Sequence, residues 1–362
     1  MSTLATLATP SVLLNRTQLA ANIREMQDLC DQHRVELRPH IKTHKMVAVA
    51  RQQLAAGARG LTCAKLGEAE AMLPSGVRSL FVAHSLVDPG QAPRIAALAD
   101  QLDDFRVAVT SEAHAEALGR LAAKVGRKLR VMLAVDTGLG REGARDDDAA
   151  KRIAATLARS SQLELRGFYT HEGHFYGVPP DQLSAKSEEL TARLCALRDA
   201  IDSSLVVWPG CSVSARLIAR GSAGRVQAVR PGAYMFGDLS LTRTTGIMPF
   251  NTVALHVLAT VVDKPEPGLA LIDAGSKTFS SDRTPDGISA LAADGRDLAV
   301  VRVNEEHGYV RGSAVAALQI GERIIFTPAH VCTVVNLTDT VVVTEAGQPV
   351  DTWRVEARGR TQ

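Results

Sequence analysis

The feature that most limits the fold of this chain is a cycle. From about residue 11 to 235, a short apolar run is followed repeatedly by a stretch with helical periodicity. SVLLN at 11–15 is strand-like, and Leu19, Ile23, Met26, Leu29 and Cys30 then share one face of a helix over 17–33. ELRPHIK precedes MVAVARQQLAAG, GLTCAK precedes LGEAEAML, SLFVAH precedes a helix running towards Leu102, and FRVAVT precedes AHAEALGRLAAKVG. LRVMLAVD, LELRGFYTHEG and LVVWPG open three further units. Roughly eight strand-then-helix units make an α/β fold, and they fit a (β/α)8 TIM barrel better than an open, doubly wound sheet, which is the alternative.

After Asp238 the texture changes. VALHVLATVV, LALIDAG, DLAVVRV, ERIIFTP and TVVVTE read as strands separated by turn residues, with no long amphipathic helix between them. The expected division is a barrel over 1–240 and a β-rich C-terminal domain over 241–362, with the boundary near 238–250.

With 46% hydrophobic residues, the chain of 362 can bury a large core. Lys and Arg number 41 against 39 Asp and Glu, and the net charge of +2 gives no reason to expect nucleic acid or an anionic membrane as partner. No run of 18 apolar residues exists, so no transmembrane helix is expected. MSTLATLATPSVLLN lacks the basic start and apolar core of a signal peptide. The five cysteines are scattered and odd in number, unlike a disulfide framework. A cytoplasmic protein is expected.

Six segments carry chemistry. RPHIKTHK (38–45) gathers two lysines and two histidines where an apolar strand ends, the catalytic side of a barrel. Cationic neighbours keep more of a lysine neutral and nucleophilic, although a solvated basic loop is the plainer reading. VDTGLGREG (135–143) offers glycines for close approach to a ligand and Arg141 for an anionic oxygen, or simply a turn. GFYTHEGH (167–174) holds Tyr169, His171, Glu172 and His174 as general acids or bases, or as surface groups. WPGCS (208–212) stands directly before a helical stretch, where backbone N–H groups suit phosphate. RPGAY (230–234) carries Tyr234, which could reach a phosphate oxygen or lie in an inter-domain turn. In PAHVC (328–332), read as strand, His330 and Cys332 at i and i+2 share a face and can meet one ion. Imidazole with thiolate favours zinc, and two ligands leave positions open for substrate.

Taken together and in this order, these segments resemble the family of D-serine dehydratase and D-threonine aldolase. Those are fold-type III pyridoxal-phosphate enzymes with an alanine-racemase-like barrel and a β domain. The resemblance runs from TPSV (9–12) to the strand after Cys332. It rests on RPHIKTHK and its pairing with PAHVC, and on VRPGAYMFGD, LIDAGSK and NEEHG (304–308). The phosphate loop WPGCSVS departs from the family's more Gly/Thr-rich run.

The resemblance implies that Lys42 bonds the cofactor aldehyde. It implies that Arg141 approaches the phenolic oxygen, that the 210–212 loop (Gly210, Cys211, Ser212) and Tyr234 contact phosphate, and that His330 and Cys332 hold the metal. With His40 and Tyr169 these make the expected cofactor set, and Lys42 and His171 the expected catalytic pair. The implied protein is a homodimer that takes a small D-amino acid. Two reactions compete. In β-elimination Lys42 removes the α-proton and the metal helps the β-hydroxyl leave, giving a 2-oxo acid and ammonia. In retro-aldol cleavage a base such as His171 takes the hydroxyl proton, giving glycine and an aldehyde. The His-x-Cys pair resembles the zinc dehydratases, where some aldolases show His-x-Asp with manganese or magnesium, so elimination is the expectation. An amino-acid racemase would share the barrel and lysine without needing the metal pair. A non-catalytic cofactor binder on the same barrel would lack both PAHVC and the β domain.

Overall fold

The computed structural model describes residues 3–362; Met1 and Ser2, at the head of the segment read as free of a signal peptide, lie outside the described residues. The chain forms two compact units, one of residues 24–42, 47–232 and 360–362, the other of residues up to 23, 43–46 and 233–359.

The chain opens with β1 (Ser11–Asn15) and α1 (Arg16–Gln32). The barrel unit then runs β2 (Glu36–Leu37), α2 (Val47–Ala56), β3 (Leu61–Cys63), α3 (Leu66–Met72), β4 (Ser79–Val82) and α4 (Ala92–Gln101). It continues with β5 (Asp104–Val109), α5 (Glu112–Val125), β6 (Leu129–Ala134), α6 (Asp147–Ala158) and β7 (Leu163–Tyr169). It ends with α7 (Leu183–Ile201), β8 (Val206–Trp208), α8 (Ala215–Gly221) and β9 (Ala228–Val229). Strands β3 to β8 pair in sequence order, all parallel. A parallel bridge between His40 and Thr62 continues the order from the β2 end into β3. The Gln227 N–H donates to Val207 O at 3.2 Å between β8 and β9, and β9 pairs parallel with β2. The eight strands β2 to β9 therefore close on themselves.

The count of eight is as expected, but its membership differs. SVLLN, read as the first strand of the cycle, pairs antiparallel with Leu255–Leu258 and parallel with Val342–Thr344 in the other unit. The strand that takes its place in the barrel is β9, two residues long and too short to show a period.

Large and small side chains alternate inside the barrel. Phe81, Tyr169 and Trp208 pack with Met132, Ala108, Ala134 and Ala228 in one buried cluster, the aromatic rings edge to face. The Arg38 and Arg106 guanidiniums lie 4.2 and 4.4 Å from the Trp208 ring centroid. Polar groups at the N-terminal strand ends satisfy these cations. Arg38 donates to Glu36 at 2.9 Å and Ser79 at 2.8 Å, and Arg106 donates to Asp104 at 3.0 Å. Gly167 is needed on β7, because a Cβ there would stand 2.2 Å from Val206 O.

The second unit adds β10 (Leu255–Glu266), β11 (Leu269–Ile272), α9 (Ser276–Phe279), β12 (Ala290–Ala292) and β13 (Ala299–Val303). Then come β14 (Gly308–Arg311), β15 (Arg323–Pro328), α10 (Val331–Leu337), β16 (Thr340–Glu345) and β17 (Gln348–Arg354). With β1 they form one nine-stranded sheet, antiparallel except where β1 meets β16. Among the described residues, no helix is long and apolar enough to cross a membrane.

Trp208 is fully buried and packed by two arginines, whereas Trp353 sits on the β17 hairpin. Trp208→Ala should destabilise the barrel by about 3–5 kcal/mol in urea unfolding, the range for an emptied aromatic site. Trp353→Ala should cost less than about 1 kcal/mol.

Candidate active site

A cavity of about 360 Å³ opens at one end of the barrel, lined by His40, Lys42, His84, Arg141, Tyr169, Arg230 and their neighbours, His171 among them. Each lining residue follows, or ends, a strand: His40 and Lys42 after β2, His84 after β4, Arg141 after β6, Tyr169 and His171 at β7, Arg230 after β9. In a parallel barrel the loops at this end are free to vary, and function collects there. Of the expected cofactor and catalytic residues, the structure gathers His40, Lys42, Arg141, Tyr169 and His171 around one space.

The local chemistry explains the placements. The Lys42 N–H approaches His40 Nδ1 at 3.4 Å, which turns the chain at the cavity wall. Asp136 ties down the glycine loop that presents Arg141. Its carboxylate accepts from the Gly138 and Gly140 N–H groups at 2.9 and 3.2 Å, and Arg145 pairs with it at 2.7 Å. Burial pushes this carboxyl up, but those hydrogen bonds and Arg145 leave it below the usual range. Glu142 lines the cavity and accepts from Ser85 at 2.9 Å. Lys65 meets His84 at 2.9 Å, and burial with that cation lowers the imidazole's pKa.

Burial lowers the His171 pKa to about 3, helped by Lys42, Arg141 and Arg230. Its ring is therefore neutral and able to accept a proton. Burial also holds the Tyr169 hydroxyl in its protonated form, and that hydroxyl has no hydrogen-bond partner. Arg230 is buried beneath it, donating through Nε to Trp208 O at 3.1 Å and through Nη2 to Thr170 O, with its guanidinium 5.1 Å from the Tyr169 ring.

The 210–214 turn is pinned from two sides. Gly210 has φ +147°, and a Cβ there would stand 2.4 Å from Arg230 N. The Gly232 N–H donates to Ser212 Oγ at 3.1 Å. Cys211 is buried, its thiol 3.6 Å from Glu172 O, and burial pushes it up to about 12. It is a packed thiol rather than a nucleophile. Tyr234 is fully buried and belongs with the β-rich unit.

His330 and Cys332 do not lie on a strand. β15 stops at Pro328, His330 caps α10, and Cys332 is in that helix's first turn. The expected strand alternation is thus not what brings them together; the strand-to-helix turn does. They still meet, and the adjacent Cys332 sulfur, followed by Asp238, raises the His330 pKa to about 11 against burial. Asp238 bonds His330 Nδ1 at 3.0 Å and accepts from the Leu241 and Val331 N–H groups at 3.0 and 3.2 Å. Thr43 Oγ1 is 3.1 Å from Cys332 Sγ.

Sequence reasoning gave no role to Arg230, Glu142, His84 or Asp238. Arg230 stood in a quoted motif, but only a closed barrel reveals that it faces Lys42's cavity.

Two family profiles match in succession: the alanine racemase N-terminal domain over residues 14–240 and the serine dehydratase domain over 254–344. D-threonine aldolase of Arthrobacter sp. is 30% identical, over 98% of this chain and 94% of its own. D-threo-3-hydroxyaspartate dehydratase of Delftia sp. (strain HT23) is 31% identical, over 97% and 98%. The chain belongs to this alanine-racemase-like family of D-threonine aldolases and D-serine dehydratases. The crystal structure of D-threonine aldolase from Filomicrobium marinum matches with a TM-score of 0.89 at 28% identity, covering 99% of this chain and 98% of that one. The Delftia dehydratase matches at 0.88 and 30%, covering 98% and 99%. That dehydratase has also been solved as a histidine variant and, two positions further on, as a cysteine variant in the metal-free form.

Pyridoxal phosphate is the family's cofactor, and the barrel site fits it. The cavity carries an unpartnered buried hydroxyl at Tyr169 and the cations Lys42, Arg141 and Arg230 for an anionic ring system. A metal fits the second site more sparingly. Asp238 orients His330 through Nδ1, the support that ligating histidines use, and the Cys332 sulfur acts on the same ring. Among the described residues no third His, Cys, Asp or Glu joins the group, so the chain offers an open rather than a closed set.

The His171 ring should titrate near pH 3 in the cofactor-free protein, read by imidazole nitrogen NMR. The unfolded chain binds this proton at about pH 6.5, so the stability given by the neutral ring is lost as pH falls below that value. Lys42→Met removes a like charge and should raise the His171 value. Protonation at pH 6 in the wild type would contradict the assignment.

Proposed function

We propose that this chain is a pyridoxal-phosphate- and divalent-metal-dependent lyase of the D-serine dehydratase type. It eliminates the β-hydroxyl from a D-3-hydroxy amino acid to give a 2-oxo acid and ammonia. One observation carries the reading. Lys42 lines the cationic cavity, and the very next residue, Thr43, is bonded to Cys332 of the histidine–cysteine pair. A lysine for amine chemistry and a donor pair for a hydroxyl are thus adjacent along the chain.

Lys42 would hold the cofactor, with His40, Arg141, Tyr169, Arg230, the 210–212 loop and Tyr234 around it. Bound there, the cofactor supplies an electron sink for negative charge at the substrate's α-carbon. The freed Lys42 amine takes the α-proton from one face, which restricts the reaction to one enantiomer. Arg141 and Arg230 place positive charge where carboxylate and phenolate oxygens need it. Tyr169, whose buried hydroxyl has no partner within the protein, would donate that hydrogen to the bound group. His330 and Cys332 would hold zinc, with manganese or magnesium as alternatives, and the ion supplies Lewis-acid help to the departing oxygen. Asp238 keeps the His330 ring turned for that task. The softness of the thiolate supports a dehydratase over an aldolase.

The retro-aldol alternative has its own support: the Arthrobacter aldolase is as similar as the Delftia dehydratase, and His171 is a neutral base. The deciding experiment incubates the protein with D-serine, D-threonine and D-3-hydroxyaspartate, with and without EDTA. A 2-oxo acid and ammonia are expected, lost on chelation, with the L-isomers inert. Glycine and an aldehyde would assign retro-aldol cleavage instead, and α-proton exchange alone would assign a racemase.

His330→Ala and Cys332→Ala should lose metal and lyase activity together, roughly a thousandfold or more, while the cofactor's visible absorbance stays. Lys42→Ala should abolish the adduct that borohydride fixes. A homodimer is expected by light scattering, and an active monomer at assay concentration would sink that assembly.

A further inference from the structure

Glu172 is wholly buried in the loop after β7, and the proposed chemistry does not use it. Its surroundings are specific. Oε1 accepts from Ser214 Oγ at 2.5 Å, Oε2 accepts from the Gly210 N–H at 3.2 Å, and its carbonyl oxygen meets the Cys211 thiol at 3.6 Å. One residue therefore binds both ends of the 210–214 turn and its second residue. The opposite side of the turn is held by Gly232 on Ser212 and by the close approach of Gly210 to Arg230.

We propose that Glu172 is the positioning residue of the turn that takes the cofactor's phosphate. The inference rests on the reading of this chain as a pyridoxal-phosphate enzyme with its phosphate at 210–214. A buried carboxylate behind an anion site would be repulsive unless its charge were spent. Burial pushes this carboxyl's pKa up, and the Ser214 hydroxyl, the Arg230 cation and the Gly210 N–H pull against that rise and spend the charge. The Gly210 N–H and the Ser214 hydroxyl are drawn inward. Ser214 Oγ also accepts from the Cys211 N–H at 3.4 Å, so the same hydroxyl ties the carboxylate to the backbone of the turn. The carboxylate thus fixes which donors of the turn face inward and which are left for an anion. A plain packing role would require only that the space be filled.

The test separates phosphate from the rest of the cofactor. Cofactor-free wild type, Glu172→Ala, Glu172→Asp and Ser214→Ala are titrated with pyridoxal phosphate and with unphosphorylated pyridoxal, followed by absorbance. Ser214→Ala should weaken pyridoxal phosphate about three- to tenfold and Glu172→Ala about tenfold or more, the scale of one and two lost hydrogen bonds. Pyridoxal affinity should stay within about twofold of wild type, because the lost hydrogen bonds shape only the turn that takes phosphate. Glu172→Asp should recover part of the loss. Inorganic phosphate should accelerate adduct formation with pyridoxal in wild type and less so in Glu172→Ala. Equal weakening of both ligands, or weakening of neither, overturns the inference. If Glu172→Ala does not fold, Ser214→Ala, which removes one hydroxyl, decides it. If wild type itself binds the two ligands equally, the placement of phosphate at this turn fails, and the inference with it.

Discussion

The site depends on one short pairing. β9 and β2 match Glu36 with Ala228 and Leu37 with Val229, and the pairing continues as the Arg38 N–H donates to Val229 O and the His40 N–H to Pro231 O. These four-odd backbone contacts close the barrel. They also bring RPHIKTHK, near the start of the chain, beside RPGAY, almost two hundred residues later. Strands of two residues have little intrinsic preference of their own, so the closure is a tertiary event held by the ring around it. Once it forms, Lys42 and Arg230 must look into the same space.

The two ends of the closed barrel differ in how their cations are matched. At the N-terminal ends of the strands, cations are matched: Arg38 by Glu36 and Ser79, Arg106 and Arg130 by Asp104. At the other end Lys42, Arg141 and Arg230 face the cavity with Glu142 as the lining carboxylate. Trp208 and the other aromatic rings separate the two layers. A protein that needed only stability would have paired both ends alike. The excess positive charge at one end is a standing cost that an anionic cofactor and substrate offset.

What the sequence made legible follows from the length of each pattern. Helices such as Glu112–Val125, with a serine cap and a terminal glycine, carry several turns of periodicity and could be read directly. The count of eight units was legible for the same reason. β9 was not, and SVLLN was assigned to the barrel because a strand's pattern does not say which sheet it joins. PAHVC (328–332) reads as strand, yet a helix starts at Val331, and Val331, Val334 and Val335 stand at i, i+3 and i+4, a helical stripe that the structure buries. The site residues in compact motifs were found. Asp238 was quoted within VRPGAYMFGD without a role, because a single carboxylate shows its partner only when the chain folds back on it.

The two histidines proposed for chemistry show how far surroundings decide what a residue type can do. His171 is buried among Lys42, Arg141 and Arg230, and every one of these opposes a second positive charge. His330 is also largely enclosed, yet it faces the Cys332 sulfur and the Asp238 carboxylate, which favour the charged ring. Burial alone would have lowered both. The sign of the neighbouring charge separates them, leaving His171 as a neutral acceptor and His330 as a ring surrounded by negative groups. A dication placed beside His330 and Cys332 would do what the proton does in its absence, neutralise the sulfur and the carboxylate together. The same arrangement beside His171 would only add to the positive charge already there. The distribution of charge thus suits an anionic ligand at the barrel cavity and a cation at the histidine–cysteine turn.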